Sequence, residues 1–251
     1  MALIWSQTIG EDHYELRSAG ASLRLYRNGV NHSQWNPDRP LGGLIWDLIA
    51  LPALQRPLGS LKDALVLGFG AGTVGRQLRD LAEVERIVGI ELDPMHLSIA
   101  GGFFECEEGF ELVAGDAVEW VQEDADEGAY DLIVDDLYAE EDGVPVRCAP
   151  MDADWCRSLV RLLRPGGLLV FNLIEPEKVA QMPVLNDAEL AQRLPHSIVY
   201  HIDGYENRVL ALADREFVPD EMKLAIARIC RDYPRCYGVG RRYRSYLPSA
   251  R

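Results

Sequence analysis

A chain of 251 residues with 48% hydrophobic and 26% charged side chains can bury one large core, which excludes a disordered polypeptide and argues against two equal domains. Its net charge of −15 repels polyphosphates, so no nucleic acid is expected as a partner, whereas a cationic small molecule is drawn in. No apolar run approaches the roughly 20 residues of a membrane span; the start Met1-Ala2-Leu3-Ile4 lacks the basic flank of a secretory leader, and the five cysteines contain no Cys-x-x-Cys pair. A cytoplasmic protein is expected, with no membrane contact, no disulfide framework and no metal site.

Positions 14–17 and 22–26 alternate apolar and polar residues, and Asn28-Gly29 forms a two-residue turn in which both positions tolerate positive φ. A small antiparallel β unit follows, with open strand edges that pairing in a homodimer would protect. A breaker-rich loop over 36–43 leads to a short helix at 44–51 that ends near Pro52. From Ala64 onward, short apolar runs at 64–67, 87–90, 111–113, 132–134 and 168–171 alternate with amphipathic helices, the pattern of βαβ units and a parallel sheet. Val74, Leu78 and Leu81 line one helix face, Asp93-Pro94 opens the next helix, and a helix at 152–163 stops before Pro165-Gly166-Gly167. Runs at 197–201 and 207–213 flank Asp203-Gly204 as a terminal antiparallel pair, for about seven strands in all.

A helix at 222–231 and a segment rich in arginine and tyrosine follow, expected to pack back on the acidic body or on a second subunit. The organisation is therefore a β unit with a linker helix over 1–52, a Rossmann-like nucleotide-binding domain over 53–215, and a helix with a basic aromatic tail over 216–251.

The chemistry concentrates at strand ends. Gly68, Gly70 and Gly72 form a glycine-rich turn between a strand and a helix, where backbone approaches a ligand without obstruction. Glu91, about 20 residues on, ends the second strand, where a carboxylate accepts from ribose hydroxyls. Asp116 follows the third strand and suits an adenine amino group. Asp135 and Asp136 end the fourth strand, where a carboxylate orients and deprotonates an incoming amine; Asp136 is the first candidate, because adjacent residues leaving a strand point apart. The acidic segment 138–142 is a candidate gate, Trp35, Trp46 and Tyr138 are candidate pocket walls, and His32 is expected at the surface. Gly70, Gly72 and Gly75 also fit Gly-x-Gly-x-x-Gly, so an NAD-linked oxidoreductase stands as an alternative at this point, as does a non-catalytic relative.

The order Gly-x-Gly-x-Gly, Glu91, Gly115-Asp116, Asp135-Asp136, Leu163-Arg164-Pro165-Gly166-Gly167 resembles the class I S-adenosylmethionine-dependent methyltransferase fold. With the small N-terminal β unit it resembles, more narrowly, the spermidine synthase group; the likeness runs from about residue 23 to 172 and includes Asn28-Gly29 and the polar segment to Gln34, similar to Asp-Gly-x-x-Gln. The resemblance implies S-adenosylmethionine or its decarboxylated form as cofactor, Gln34 among its contacts, and Asp136, Asp135 and Tyr138 at the reacting end. In that group an Asp in the glycine loop holds the amine of the cofactor arm, and a second carboxylate after the fourth strand helps to hold a diamine; here those positions are Ala71 and Ala139. The departures turn the expectation from putrescine aminopropylation toward alkylation, most simply methylation, of another amine-bearing small molecule.

Overall fold

The computed structural model describes residues 1–141 and 144–248. β1 (Ala2–Ile9), β2 (Asp12–Ala19), β3 (Ser22–Arg27) and β4 (Val30–Trp35) form an antiparallel sheet in that order. Asn28 and Gly29 turn β3 into β4 with φ of 51° and 85°, the left-handed pair that a tight hairpin requires. β1 gives no alternating signal because it is an edge strand with neither face packed; only Trp5 is partly covered.

α1 (Ile45–Leu54) runs through Pro52 instead of ending there. Every residue from Asp47 to Leu54 is buried, and that burial outweighs the one backbone hydrogen bond that proline removes.

The chain then alternates β5 (Asp63–Leu67), α2 (Thr73–Ala82), β6 (Arg86–Glu91), α3 (Pro94–Phe104), β7 (Phe110–Ala114), α4 (Ala117–Glu123) and β8 (Tyr130–Asp135). A hairpin follows, β9 (Tyr138–Glu141) with β10 (Val144–Arg147), and then α5 (Ala153–Leu162), β11 (Leu163–Leu173), α6 (Pro183–Asn186), α7 (Ala188–Arg193), β12 (His196–Ile202), β13 (Arg208–Ala213), α8 (Pro219–Asp232) and β14 (Tyr243–Tyr246). The main sheet has the order β14-β12-β13-β11-β8-β5-β6-β7, with the last five strands of that list parallel and the first three antiparallel. It is a Rossmann-like, mostly parallel sheet of eight strands, one more than the sequence pattern suggests. The extra strand, β14, lies inside the arginine- and tyrosine-rich tail, where charge masks the short alternation.

Strand β5 shows why the sheet is covered on both faces. Ala64 and Val66 point into one core with α1, α2 and α8, while Leu65 and Leu67 point into the other with α4 and α5. The tail packs back on the acidic body: Arg235 pairs with Asp38 at 2.6 Å, and the Tyr243 hydroxyl donates to Asp47 at 2.6 Å. Asp47 is buried and also accepts from Gly43 N and Gln77 Nε2, and desolvation raises its pKa above the usual carboxylate range.

Candidate active site

Four parallel strands deliver their carboxyl ends to one crevice, where open α/β sheets bind ligands. Gly68 follows β5, Glu91 ends β6, Asp116 follows β7 and Asp136 follows β8. Together with β2, β3, β4, α1 and the β9–β10 hairpin these ends enclose a cavity of about 820 Å³, ample for a nucleotide and a second small molecule.

The floor is made by close backbone approach. Gly68 has φ +81°, and a Cβ there would lie 2.2 Å from the Asp136 carbonyl oxygen, so the turn crosses β8 only because this residue is glycine. Gly70 N–H donates to Glu91 Oε2 at 2.7 Å, and Asp93 N–H to Glu91 Oε1 at 3.0 Å. Burial works to raise the Glu91 pKa, but His96 and these two N–H groups outweigh it and hold the carboxyl below its ordinary value. Asp116 lines the cavity at the head of α4, which it caps by accepting from Val118 N and Glu119 N.

Two expected floor residues sit elsewhere. Gly72 opens α2 against Phe69 and Cys106, where a Cβ would come within 2.5 Å of the Cys106 sulfur. Gly75 and Gly89 also leave room for the Phe69 ring. Of the Gly70, Gly72 and Gly75 set, Gly70 alone lines the cavity. Gln34 turns away from the cavity: its side chain accepts from Arg24 Nε at 2.7 Å and its backbone N–H donates to Thr73. Counted from Asn28, the fifth position of an Asp-Gly-x-x-Gln pattern is His32, and His32 lines the cavity.

The adjacent aspartates diverge as strand pleating demands. Asp135 is fully buried and faces away from the cavity, accepting from Arg147 Nη2 at 2.7 Å and Trp155 Nε1 at 2.8 Å. Asp136 faces the cavity and accepts from Asn172 Nδ2 at 2.7 Å. Desolvation pushes the Asp136 carboxyl up to about 6; the Asn172 hydrogen bond opposes that shift and neighbouring Asp135 adds to it.

Tyr138 lines the cavity with its hydroxyl donating to Asn172 O at 2.9 Å and accepting from Ile174 N at 3.2 Å. Burial raises that phenol to about 12, so it stays protonated. Trp46 lines the cavity, whereas Trp35 is buried in the core beneath Arg76.

The segment expected as a gating loop is in fact the β9–β10 hairpin over the cavity; Asp142 lies outside the described residues. Alternation along β9 puts Tyr138 and Glu140 on one face. Glu140 Oε2 lies 3.6 Å from His32 Nε2.

Sequence reasoning missed the roof. Tyr14 is 4% exposed, and its hydroxyl donates to Asp93 at 2.7 Å. Arg27 pairs with Asp12 at 2.7 Å and reaches Asp93 at 3.7 Å. His32 stands 5.0 Å from buried His96, ring centre to ring centre. Burial pushes His32 down to about 4, which leaves it neutral at physiological pH. The signal available was the strand alternation of β4, which places His32 and Gln34 on the same face in an ideal strand. A register shift between Leu25 and Tyr26 in the facing strand disturbs that simple pairing.

Among the described lining residues are six carboxylates, of Asp12, Glu91, Asp93, Asp116, Asp136 and Glu140, against one guanidinium, that of Arg27. Such a cavity favours a cation. Among the described residues no His, Cys, Asp and Glu group has the arrangement of a metal site, and no helix is long and apolar enough to cross a membrane.

The glycine turn, the acidic end of β6 and the carboxylate after β8 on a seven-element βα scaffold define a class, the class I S-adenosylmethionine-dependent methyltransferase fold. Within it, the antiparallel unit before the first βα turn is a further likeness of fold to the spermidine synthases. A probable spermidine synthase from Corynebacterium glutamicum superposes with a TM-score of 0.71 over 98% of this chain and 91% of that one, at 17% identity, a likeness of fold. In sequence the chain is 30% identical over 137 residues to a probable polyamine aminopropyl transferase of Bifidobacterium longum, covering 54% of this chain and 29% of that protein. It is 25% identical over 170 residues to an eEF1A lysine and N-terminal methyltransferase homolog of Drosophila pseudoobscura, covering 65% of this chain and 25% of that one. The chain thus spans less than a third of the length of these curated relatives. No protein-family model matches it.

Proposed function

We propose that this chain is an S-adenosylmethionine-dependent transferase that alkylates, most simply methylates, an amine-bearing small molecule. The observation that carries the reading is Asp136: a cavity carboxylate at the end of β8, poised near 6 and fixed by Asn172, beside the Gly70–Glu91 floor. The floor fits the nucleotide, because glycine backbone and a carboxylate already anchored by two N–H groups are both open to the cavity. Gly68, Gly70 and Glu91 would hold the nucleoside, and Asp116 its base. The bound cofactor supplies a carbon activated by an adjacent sulfonium, which leaves without acid assistance.

What the chain must add is alignment and a neutral amine. Asp136 accepts the proton of the incoming ammonium at its carboxylate, a contribution of about 10²–10⁴ in rate for a placed general base. Asn172 holds that carboxylate in orientation, and Trp46 and Tyr138 wall the acceptor side. The hairpin limits access of water from above. The exposed edge of β1 is the surface by which the same reading makes the chain a homodimer, to be checked by light scattering.

Parallel calorimetric titrations with S-adenosylmethionine and its decarboxylated form test the reading. Micromolar binding, tighter for the intact cofactor, is the expected result and points to methyl transfer. Tighter binding of the decarboxylated form points instead to aminopropyl transfer, and no binding of either removes the proposal.

A further inference from the structure

Three cavity carboxylates have no task in the mechanism above; Asp12 is bonded to Arg27 and Asp93 to Tyr14, which leaves Glu140. Glu140 projects from β9 on the same face as Tyr138, lines the cavity, and has a side chain 19% exposed. Its Oε2 is buried without a hydrogen-bond partner among the described residues, and the same holds for the facing His32 Nε2, 3.6 Å away. A buried carboxylate oxygen with nothing donating to it is costly unless a ligand completes it. His32 does not neutralise it, because burial beside His96 and Arg27 keeps that imidazole uncharged.

Position adds to the chemistry. His32 and Ser33 sit against the nucleotide turn: a Cβ on Gly70 would lie 3.6 Å from His32 O and 3.1 Å from Ser33 Oγ, and Ser33 Oγ accepts from Ala71 N at 2.9 Å. His32 thus stands between Glu140 and the turn at Ala71; Ala71 is buried, carries no polar atom in its side chain and donates its backbone N–H to Ser33. Two other cavity carboxylates, Glu91 and Asp93, are already engaged by backbone N–H groups.

We propose that Glu140 is the anchor for an alkylammonium group bound between the β9–β10 hairpin and the nucleotide turn. The inference rests on the proposed nucleotide site and assigns it a cation-binding residue from the roof. An alkylammonium is the fitting partner: it donates to the bare Oε2, brings the missing positive charge, and leaves neutral His32 Nε2 as a second acceptor in the matching tautomer. Such a group is present both on the three-carbon arm of the cofactor and on an amine acceptor.

The Glu140→Gln variant separates these sources. Wild type and variant are titrated with S-adenosylmethionine, with its decarboxylated form, and with 5′-methylthioadenosine, which has the nucleoside and no amine. Hexylamine and spermidine are then titrated onto protein saturated with 5′-methylthioadenosine. Loss of a charge-assisted hydrogen bond weakens the affected ligand about ten- to a hundred-fold.

If the variant weakens both amine-bearing nucleotides and leaves 5′-methylthioadenosine unchanged, Glu140 holds the cofactor arm. If the nucleotides are unchanged and the amines weaken, it holds the acceptor. If the variant changes none of them, or weakens 5′-methylthioadenosine as well, the proposal is overturned, the last case meaning that Glu140 only shapes the site. Wild-type protein that binds no nucleotide overturns the underlying reading instead, so the two failures are told apart.

Discussion

The cavity has a floor and a roof built on different principles. The floor comes from consecutive βα units and is held by backbone: the Gly68 turn crossing Asp136, and the Gly70 and Asp93 amides on Glu91. The roof is made by side chains from separate segments, with Tyr14, Arg27 and His32 from the N-terminal sheet, Trp46 from α1 and Glu140 from the hairpin. Backbone approach tolerates no added atom, whereas side-chain contacts exchange at modest cost. The floor should therefore fail as a unit, and the roof should adjust ligand by ligand.

The largest break in that comparison is Gly68→Ala. A side chain in left-handed backbone costs about 1–2 kcal/mol, and forcing a carbon 2.2 Å from the Asp136 carbonyl adds overpacking of about 1–3 kcal/mol. The expected outcome is a melting temperature lowered by about 4–20 °C for a chain of this size. Nucleotide binding and turnover should be lost together, because the turn and Asp136 move as one. Calorimetry beside a thermal melt checks this; intact nucleotide affinity in a well-folded variant would show that the floor is looser than its geometry.

Asp136→Asn separates chemistry from architecture. The asparagine keeps an oxygen for Asn172 Nδ2 and loses the base, so turnover should fall about 10²–10⁴-fold with nucleotide affinity unchanged. For the parent protein, the rate should rise with pH through about 6 and level off above it, as Asp136 loses its proton. Stability runs the other way. A carboxyl with a folded pKa above its unfolded value contributes stability that is fully present below the unfolded pKa and lost as pH rises through about 6. Asp136→Asn removes that loss, so at pH 7 the variant should melt about 2–4 °C higher, equivalent to about 1 kcal/mol. A variant that is both slower and less stable would mean that Asp136 holds the fold more than it serves the reaction.

The same floor and roof explain what was legible in the sequence. Short apolar strands, the glycine turn and Glu91 repeat at spacings fixed by βαβ geometry, so the parallel sheet and its carboxylates follow from local pattern. Pleating already favoured Asp136 over Asp135, and Asp135 does turn inward to Arg147 and Trp155. His32, His96 and Tyr14 carry no such pattern, since they meet only through packing of the N-terminal sheet on α3. β14 was hidden for a related reason: its pairing with β12 is specified by Tyr243 reaching Asp47, nearly two hundred positions away in the chain. The hairpin read as a loop because its charges obscure a strand of four residues.

The smallest expected effect sharpens the comparison at the joint of floor and roof. Tyr138 begins the hairpin, and its hydroxyl bridges Asn172 O and Ile174 N on β11 and just beyond it. Tyr138→Phe keeps the ring against Arg147, whose guanidinium lies 5.8 Å from the ring centre, and removes only the bridge. The cost to stability is about 1 kcal/mol, the net worth of an ordinary hydrogen bond. Because Asn172 also orients Asp136, a slackened hairpin root should raise KM for the amine two- to five-fold or so while leaving S-adenosylmethionine affinity untouched, about 1 kcal/mol of binding at most. Equal loss for amine and nucleotide would mean that the hairpin and the glycine turn respond together, and that the roof is as rigidly built as the floor.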